Sequence, residues 1–294
     1  MRQQALQWIV LLSFAGHGIP LKSSRRHCGA PCVPGRVGES LRGERCDVCP
    51  SEPAIMATFL EAEWRHLLMA HYRVEHAILS PYVPAGTELD EWGGHVYVSL
   101  IGFRFLRTRV LGIGVPFHRN FDEINLRLYV RRRTDGEVRR GVVFVKEVVS
   151  TPGVALAANL TFNENYEVHA TRSNAPRVAG AVPGSLRYEW RSRSGWNRVS
   201  ADLGDGPFVP APGSREHFLV ERPWGSTRQR DGGTVEYRVD HPPWRVWRTR
   251  EASVQCHVRE LYGAEFEHVL RPEPDLATIA EGSAVAVSTP SRVA

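Results

Sequence analysis

Four side chains able to bind or move protons stand at every second position of one short segment: Glu123, Asn125, Arg127 and Tyr129. A carboxylate can act as acid, base or cation anchor. A guanidinium holds a carboxylate or phosphate through paired donors, and amide and phenol groups orient what lies between. A further acidic position, Glu147, is preceded by Lys146, one of only two lysines in the chain with Lys22. Lys146 is thus the one amine downstream of the leader that could form an imine with a carbonyl substrate. Its acidic neighbour favours the charged form, which is not nucleophilic. Tyr166 and Asn163, in Asn-Glu-Asn-Tyr, either close a ligand site or satisfy a turn. The candidate catalytic groups are therefore Glu123, Glu147 and Lys146, and the candidate ligand contacts are Arg127, Asn125, Tyr129 and Tyr166. The simplest structural use of Glu123 and Arg127, neighbours but one on a strand face, is an ion pair at a barrel wall.

The element that positions these residues runs from Phe121 to Val130. Ile124, Leu126, Leu128 and Val130 alternate with the polar set, which is the two-residue period of a strand with one apolar face. Asp135-Gly136 predicts a hairpin turn, and Gly141–Val149 returns as a nearly continuous apolar strand with Glu147 on the face of Val143, Val145 and Val149. His95–Leu106, Tyr166–Ala170, Ser185–Arg193, Thr234–Asp240 and Ala284–Val287 read as further strands. Helices are predicted over Phe59–His71 from an amphipathic pattern, over Val154–Leu160 after Pro152, and late in the chain around Leu261–Leu270. Many strands and few helices describe a mostly β domain, a barrel or sandwich, in which a polar strand face lines either solvent or an enclosed cavity.

Composition removes several functions. The chain has 294 residues and a formal charge of +5, but residues 1–55 hold seven Lys/Arg against four Asp/Glu and the remainder 30 against 28. The basic block Arg131-Arg132-Arg133 sits beside Asp135, and no aromatic-and-basic repeat occurs, so no nucleic-acid partner is expected. No apolar run reaches the roughly 18 residues of a membrane span. His95, His118, His217 and His241 lack metal-ligand spacing, and no phosphate loop, dinucleotide fingerprint or nucleophile elbow is present, so neither a metal nor a cofactor is expected. Cys256 reads as a buried hydrophobe. Arginine usage of this degree is that of a GC-rich genome, and a bacterial, cytoplasmic protein is expected.

Residues 1–55 differ in composition from residues 56–294, being rich in Arg, Gly, Pro and Ser without period. Cys28, Cys32, Cys46 and Cys49 have near-zinc-site spacing there, which leaves open a metal or disulfide module, a signal-bearing leader, and an upstream stretch ahead of a true start at Met56. The expected organisation is a leader over 1–55, one domain over 56–288 and a tail over 289–294.

Five segments in order carry a resemblance: Phe121–Val130, Gly141-Val-Val-Phe144, Phe218-Leu-Val-Glu-Arg-Pro-Trp-Gly225, His241-Pro-Pro-Trp244 and Ala280-Glu-Gly-Ser283. Together, over about Met56–Ser288, they resemble the YqjF-like domain-of-unknown-function family, which is similar to the acetoacetate decarboxylase superfamily. The resemblance implies a closed, cone-shaped β-barrel with a central cavity. Those decarboxylases carry a Tyr-x-Glu strand, an Arg-Glu strand end, and a proline followed by two lysines, one of which forms the imine. Here Phe121-Asp122-Glu123 resembles the first element and Lys146-Glu147 the second. Pro152 resembles the proline, but Gly153 and Val154 stand where the lysines would be. Imine-type decarboxylation is therefore not expected. The reading is a barrel that binds a small anionic or carbonyl-bearing molecule. Any catalysis would be acid/base chemistry of a lyase or hydrolase kind without metal. The alternative is a non-catalytic structural or interaction domain whose polar strand faces are satisfied ion pairs.

Overall fold

The computed structural model describes residues 57–293 except 115–117, 135 and 181. The leader and its four cysteines lie outside the described residues. The strands are β1 (Thr58–Val74), β2 (Glu88–Leu89), β3 (Val96–Val110), β4 (Ile113–Gly114), β5 (Phe121–Thr134), β6 (Glu137–Val149), β7 (Tyr166–Val168), β8 (Thr171–Ser173), β9 (Ser185–Arg191), β10 (Trp196–Leu203), β11 (Trp224–Arg228), β12 (Thr234–Asp240), β13 (Val246–Gln255), β14 (Leu276–Ser288) and β15 (Ser291–Arg292). The fold is mostly β, as the alternation predicts. The longest helix is Pro152–Thr161, entered through a proline whose missing N–H costs nothing at a helix start.

The strands run in the order β12-β11-β6-β5-β3-β1-β14, and β12 also pairs with β14, so this part of the sheet returns on itself. The closure is uneven. β12 meets β14 through only Val239↔Val287 and Asp240↔Ala286, and β11 meets β6 through two parallel pairs, whereas β1, β3, β5 and β6 are joined by long antiparallel registers. The ring is thus not a regular barrel. From β14 the sheet continues through β13, β10 and β9 to β8, forming a second layer.

Strands β1, β3 and β5 have two buried faces over much of their length. On the outer one, Leu68, Ala70, Val98, Leu100, Ile124, Leu126 and Leu128 pack against Tyr188, Trp190 and Val199 of the second layer and against Tyr262 and Phe266. Burying each such large side chain contributes about 1.5–3 kcal/mol. Gly102 allows the close approach, because a Cβ there would lie 2.5 Å from Cγ of Tyr188. The other face, carrying Glu123, Asn125, Arg127 and Tyr129, looks into the ring.

The predicted helix over Phe59–His71 is instead the central strand β1. Its Leu, Glu, Ala and Met residues have helical propensity, but β1 is hydrogen-bonded on both edges, to β3 and to β14, and that pairing decides its conformation. A bulge at His66 (φ 55°) shifts the register between Arg65 and Leu68 and re-phases the buried faces. The late helix is two short pieces, Val258–Leu261 and a 3-10 turn over Ala264–Phe266. Strands β10, β11 and β13 and the helix Arg215–Val220 arise in segments where the sequence shows no clear period.

Candidate functional site

Cross-strand register assembles the site from β3, β5 and β6. Phe103, Ile101 and Ser99 of β3 lie beside Glu123, Asn125 and Arg127, while on the other edge Val149 and Glu147 lie beside Glu123 and Asn125. Glu123 and Glu147 are therefore diagonal neighbours on the inner face, both almost fully buried. Arg127 is not the partner of Glu123. Four residues along a strand span about 13 Å, too far for the expected ion pair. Glu123 instead accepts from Asn125 Nδ2 at 3.0 Å and from the Tyr166 hydroxyl at 3.0 Å.

A third carboxylate joins them from outside the strands. Glu164 lies in the turn after the helix Pro152–Thr161, and its Oε1 accepts from Thr227 Oγ1 at 2.7 Å and from the Tyr237 hydroxyl at 2.9 Å. Its carboxyl also lies close enough to that of Glu147 for the two to titrate together. The turn is held by asparagines. Asn163, at φ 57°, donates to the Arg228 carbonyl at 2.8 Å, and Asn165 donates to the Val145 carbonyl at 2.8 Å. Asn159 accepts from the Tyr166 N–H at 2.8 Å and donates to the Tyr166 carbonyl at 3.0 Å, so the tyrosine beside Glu123 is fixed at its backbone. Gly225 makes room for Tyr237: a Cβ there would lie 2.2 Å from Cζ of its ring.

Phe103, Phe121, Val149 and Phe162 keep this end of the interior apolar. Burial raises Glu123 to about 7 against the hydrogen bonds from Asn125 and Tyr166, which favour the ionised form. Burial likewise raises Glu164 to about 7, opposed by Thr227, Tyr237 and Glu147. Burial, then the charges of Glu164 and Glu123, hold Glu147 well above the ordinary carboxylate range. Burial and these same carboxylates push the phenols of Tyr166 and Tyr237 upward. The three carboxyls titrate as one coupled set. Glu147, whose carboxyl is held toward its neutral form, thus lies beside two carboxyls that titrate near 7, an arrangement that can give and take a proton.

The other buried acids are treated differently. Asp90 accepts from Arg222 Nη1 and Arg140 Nη1, both at 2.6 Å, and Asp122 from Arg104 at 2.8 Å. Glu63 pairs with Arg65 and Arg107, Glu189 with Arg172 and Arg198, Glu216 with Arg248, and Glu236 with Arg132 and Arg139. Among the described residues, Glu123 and Glu147 are the buried acids without a cation.

Further along β5 the inner face is polar but not acidic. Arg127 Nη2 donates to the Leu219 carbonyl at 3.0 Å, and the Tyr129 hydroxyl lies 2.6 Å from Ser99 Oγ and 3.2 Å from the same carbonyl. Ser99 Oγ is in turn 2.6 Å from Nδ1 of His71, whose Nε2 is 3.2 Å from Thr278 Oγ1. Burial, with the nearby charges of Arg127 and Arg215, holds His71 neutral, down to about 3. Four buried polar atoms in this interior have no partner among the described residues: Glu147 Oε2, Asn125 Oδ1, Arg127 Nε and Tyr97 Oη.

Of the predicted residues, Glu123, Glu147, Asn125 and Tyr166 come together, with Arg127 and Tyr129 further along the same wall. Lys146 does not join them. It pairs with Glu167 Oε1 at 2.7 Å, and its Cα stands opposite Leu126, whose side chain belongs to the outer core. Glu164, Thr227 and Tyr237 were not legible as site residues. Each comes from a separate segment, and only the ring brings them together. No group of three or more His, Cys, Asp or Glu side chains among the described residues is placed to hold a metal ion.

The family described as an uncharacterized conserved protein, DUF2071, matches residues 61–284. The chain belongs to that family. One relative, the uncharacterized protein YqjF of Bacillus subtilis (strain 168), is 41% identical over 217 residues, covering 72% of this chain and 83% of YqjF. Among solved structures, acetoacetate decarboxylase from Legionella pneumophila superposes with a TM-score of 0.58 at 12% identity, covering 88% of this chain and 98% of the other. The enduracididine biosynthesis enzyme MppR, complexed with pyruvate, superposes with a TM-score of 0.56 at 12% identity, covering 86% and 98%. The DUF2071 chain thus has an acetoacetate decarboxylase-like fold. At such identities the likeness establishes the fold alone.

Proposed function

We propose that the protein binds a small anionic or carbonyl-bearing molecule inside its ring, which would serve as a closed, cone-shaped barrel, and that Glu123, Glu147 and Glu164 move a proton on that molecule. The observation that carries this reading is the set of interior carboxyls left without a cation, whereas the other buried acids among the described residues pair with arginine. A carboxyl held toward its neutral form has a clear chemical use as a hydrogen-bond or proton donor to a carbonyl oxygen. Arg127 Nε and Tyr97 Oη supply unused donors for an anionic end, and Asn125 Oδ1 an unused acceptor. Tyr129 and Tyr166 orient the wall. Lys146 takes no part, because its charge is already used by Glu167. That MppR has been solved with pyruvate supports a short oxo acid as the first ligand class to try.

The reading of a non-catalytic domain draws on one observation. Two surface concavities of about 350 and 610 Å³ lie on the second layer and beside Cys256–Glu260, and neither contains the carboxyls. Calorimetric titration with pyruvate and with neutral apolar ligands, on the wild type, Glu147→Gln and Arg127→Ala, separates the two. Oxo-acid binding that Arg127→Ala weakens supports the ligand site. Absence of binding in every arm returns these residues to a structural role.

A further inference from the structure

The outer face of the second layer carries a charge arrangement unlike the paired acids inside. Arg172 of β8 and Arg198 of β10 both stand in register with Glu189 of β9, one on each side, and Arg187 is two residues along β9 on the same face. Arg172 Nε donates to Glu189 Oε2 at 2.8 Å, and Arg198 Nε donates to Oε1 at 3.1 Å. Arg187 Nε stays 3.5 Å from Oε2, in charge contact only. One buried carboxylate therefore gathers three guanidinium groups, each between 41 and 56% exposed at its side chain. These three arginines, Glu189 and Ser173 line a concavity of about 350 Å³.

The donors outnumber what Glu189 accepts. Its two oxygens take bonds from Arg172 and Arg198, while Arg172 Nη1, the outer nitrogens of Arg187 and Arg198 Nη1 have no bond to it. The formal charge of the recess is three positives against one negative. Trp196 lies under the Arg172 guanidinium, 4.0 Å from its ring centre, and presents it as a flat plate. A buried carboxylate at the floor also prevents the three cations from separating, which their mutual repulsion would otherwise favour. Arginine forks of this kind match an oxyanion with several acceptors on one centre.

We propose that this recess is a binding site for a small phosphate-type oxyanion, inorganic phosphate or a phosphomonoester, with Arg187 as the residue whose donors are most completely available to it. The site is separate from the carboxyl cluster and does not depend on the function proposed for it.

The test is calorimetric titration of the full chain with inorganic phosphate at constant ionic strength, with chloride as the matched control and phosphatidic acid vesicles as a separate arm. Arg187→Ala is the informative variant, because this residue makes no hydrogen bond to Glu189 and its loss leaves the Arg172–Glu189–Arg198 row in place. Arg245→Ala, which removes an exposed pair with Glu281, is the control for general loss of positive charge. Saturable phosphate binding that Arg187→Ala weakens about tenfold and Arg245→Ala leaves unchanged is the expected result. No saturation beyond the chloride control, equal loss in both variants, unchanged binding in Arg187→Ala, or binding to vesicles without binding of free phosphate would each overturn the proposal.

Discussion

Asp90 and Glu147 are both buried carboxyls, and the chain deals with them in opposite ways. Asp90 is fully enclosed, yet Arg222, itself 1% exposed at its side chain, and Arg140 donate to it. Two guanidinium groups answer it. Glu147 is equally enclosed and has two further carboxyls as neighbours, so its charge is suppressed. A protein with 35 arginines among its 37 basic residues does not lack cations to place there. The difference separates a carboxylate paired with cations from a carboxyl held toward its neutral form, and substitutions on either side test it.

The largest effect is expected at the paired acid. Arg222→Leu removes the buried partner of Asp90 and leaves the charge with Arg140 and the more distant Arg131, so unfolding in urea should show a loss of about 3 kcal/mol. At the unpaired set the sign reverses. Glu123 has its folded value raised above that of the unfolded chain, so its contribution is fully present below the unfolded value near 4.5. It is lost as pH rises through about 7. A tenfold change in proton affinity is worth about 1.4 kcal/mol, and glutamine gives up the charge-assisted bonds from Asn125 and Tyr166. Glu123→Gln should therefore raise stability at pH 8 by about 2 kcal/mol relative to wild type and should gain nothing at pH 4. His71 acts oppositely. Its value is lowered to about 3, so its contribution is present above 6.5 and is lost as pH falls toward 3. The wild type should consequently lose stability in both directions from an intermediate optimum.

A smaller effect is expected for Tyr166→Phe, which deletes one hydrogen bond to ionised Glu123 at a cost of about 1 kcal/mol. The same change should move the titration of the carboxyl set upward, since that bond favours the ionised form. The smallest effect belongs to Lys146→Met, which breaks a part-exposed pair with Glu167 and should cost less than about 1 kcal/mol. Borohydride reduction in the presence of pyruvate should leave Lys146 unmodified, detectable by mass spectrometry of the intact chain.

The same contrast shows what could be read from residues alone. β5 announces itself because a strand with two chemically different faces writes a period of two into the sequence, and Glu123, Asn125 and Glu147 follow from it. β1 does not, because both of its faces are buried and its leucines, alanines and glutamates carry the pattern of a helix. Only its two hydrogen-bonded neighbours make it a strand. The Glu123–Arg127 ion pair failed on strand geometry, since the rise per residue separates them. Glu164 was hidden for a different reason. A lone acid between two asparagines in a turn has no period, and its meaning comes from Thr227 and Tyr237, more than sixty residues away in sequence. The Arg222 partner of Asp90, 132 residues away, was hidden in the same way.

What sets the site apart is that interior carboxyls hold their protons toward neutrality. Carbon-13 labelling of glutamate side chains, with the carboxyl resonances followed from pH 4 to pH 9, measures this directly. Glu123 and Glu164 are expected to titrate near pH 7 and Glu147 well above the ordinary carboxylate range, and the corresponding signals are expected to vanish in Glu123→Gln, Glu164→Gln and Glu147→Gln. If every glutamate carboxyl were instead ionised by pH 5.5, the cluster would be an ordinary set of carboxylates with no proton to give near neutrality, contrary to the role proposed for it.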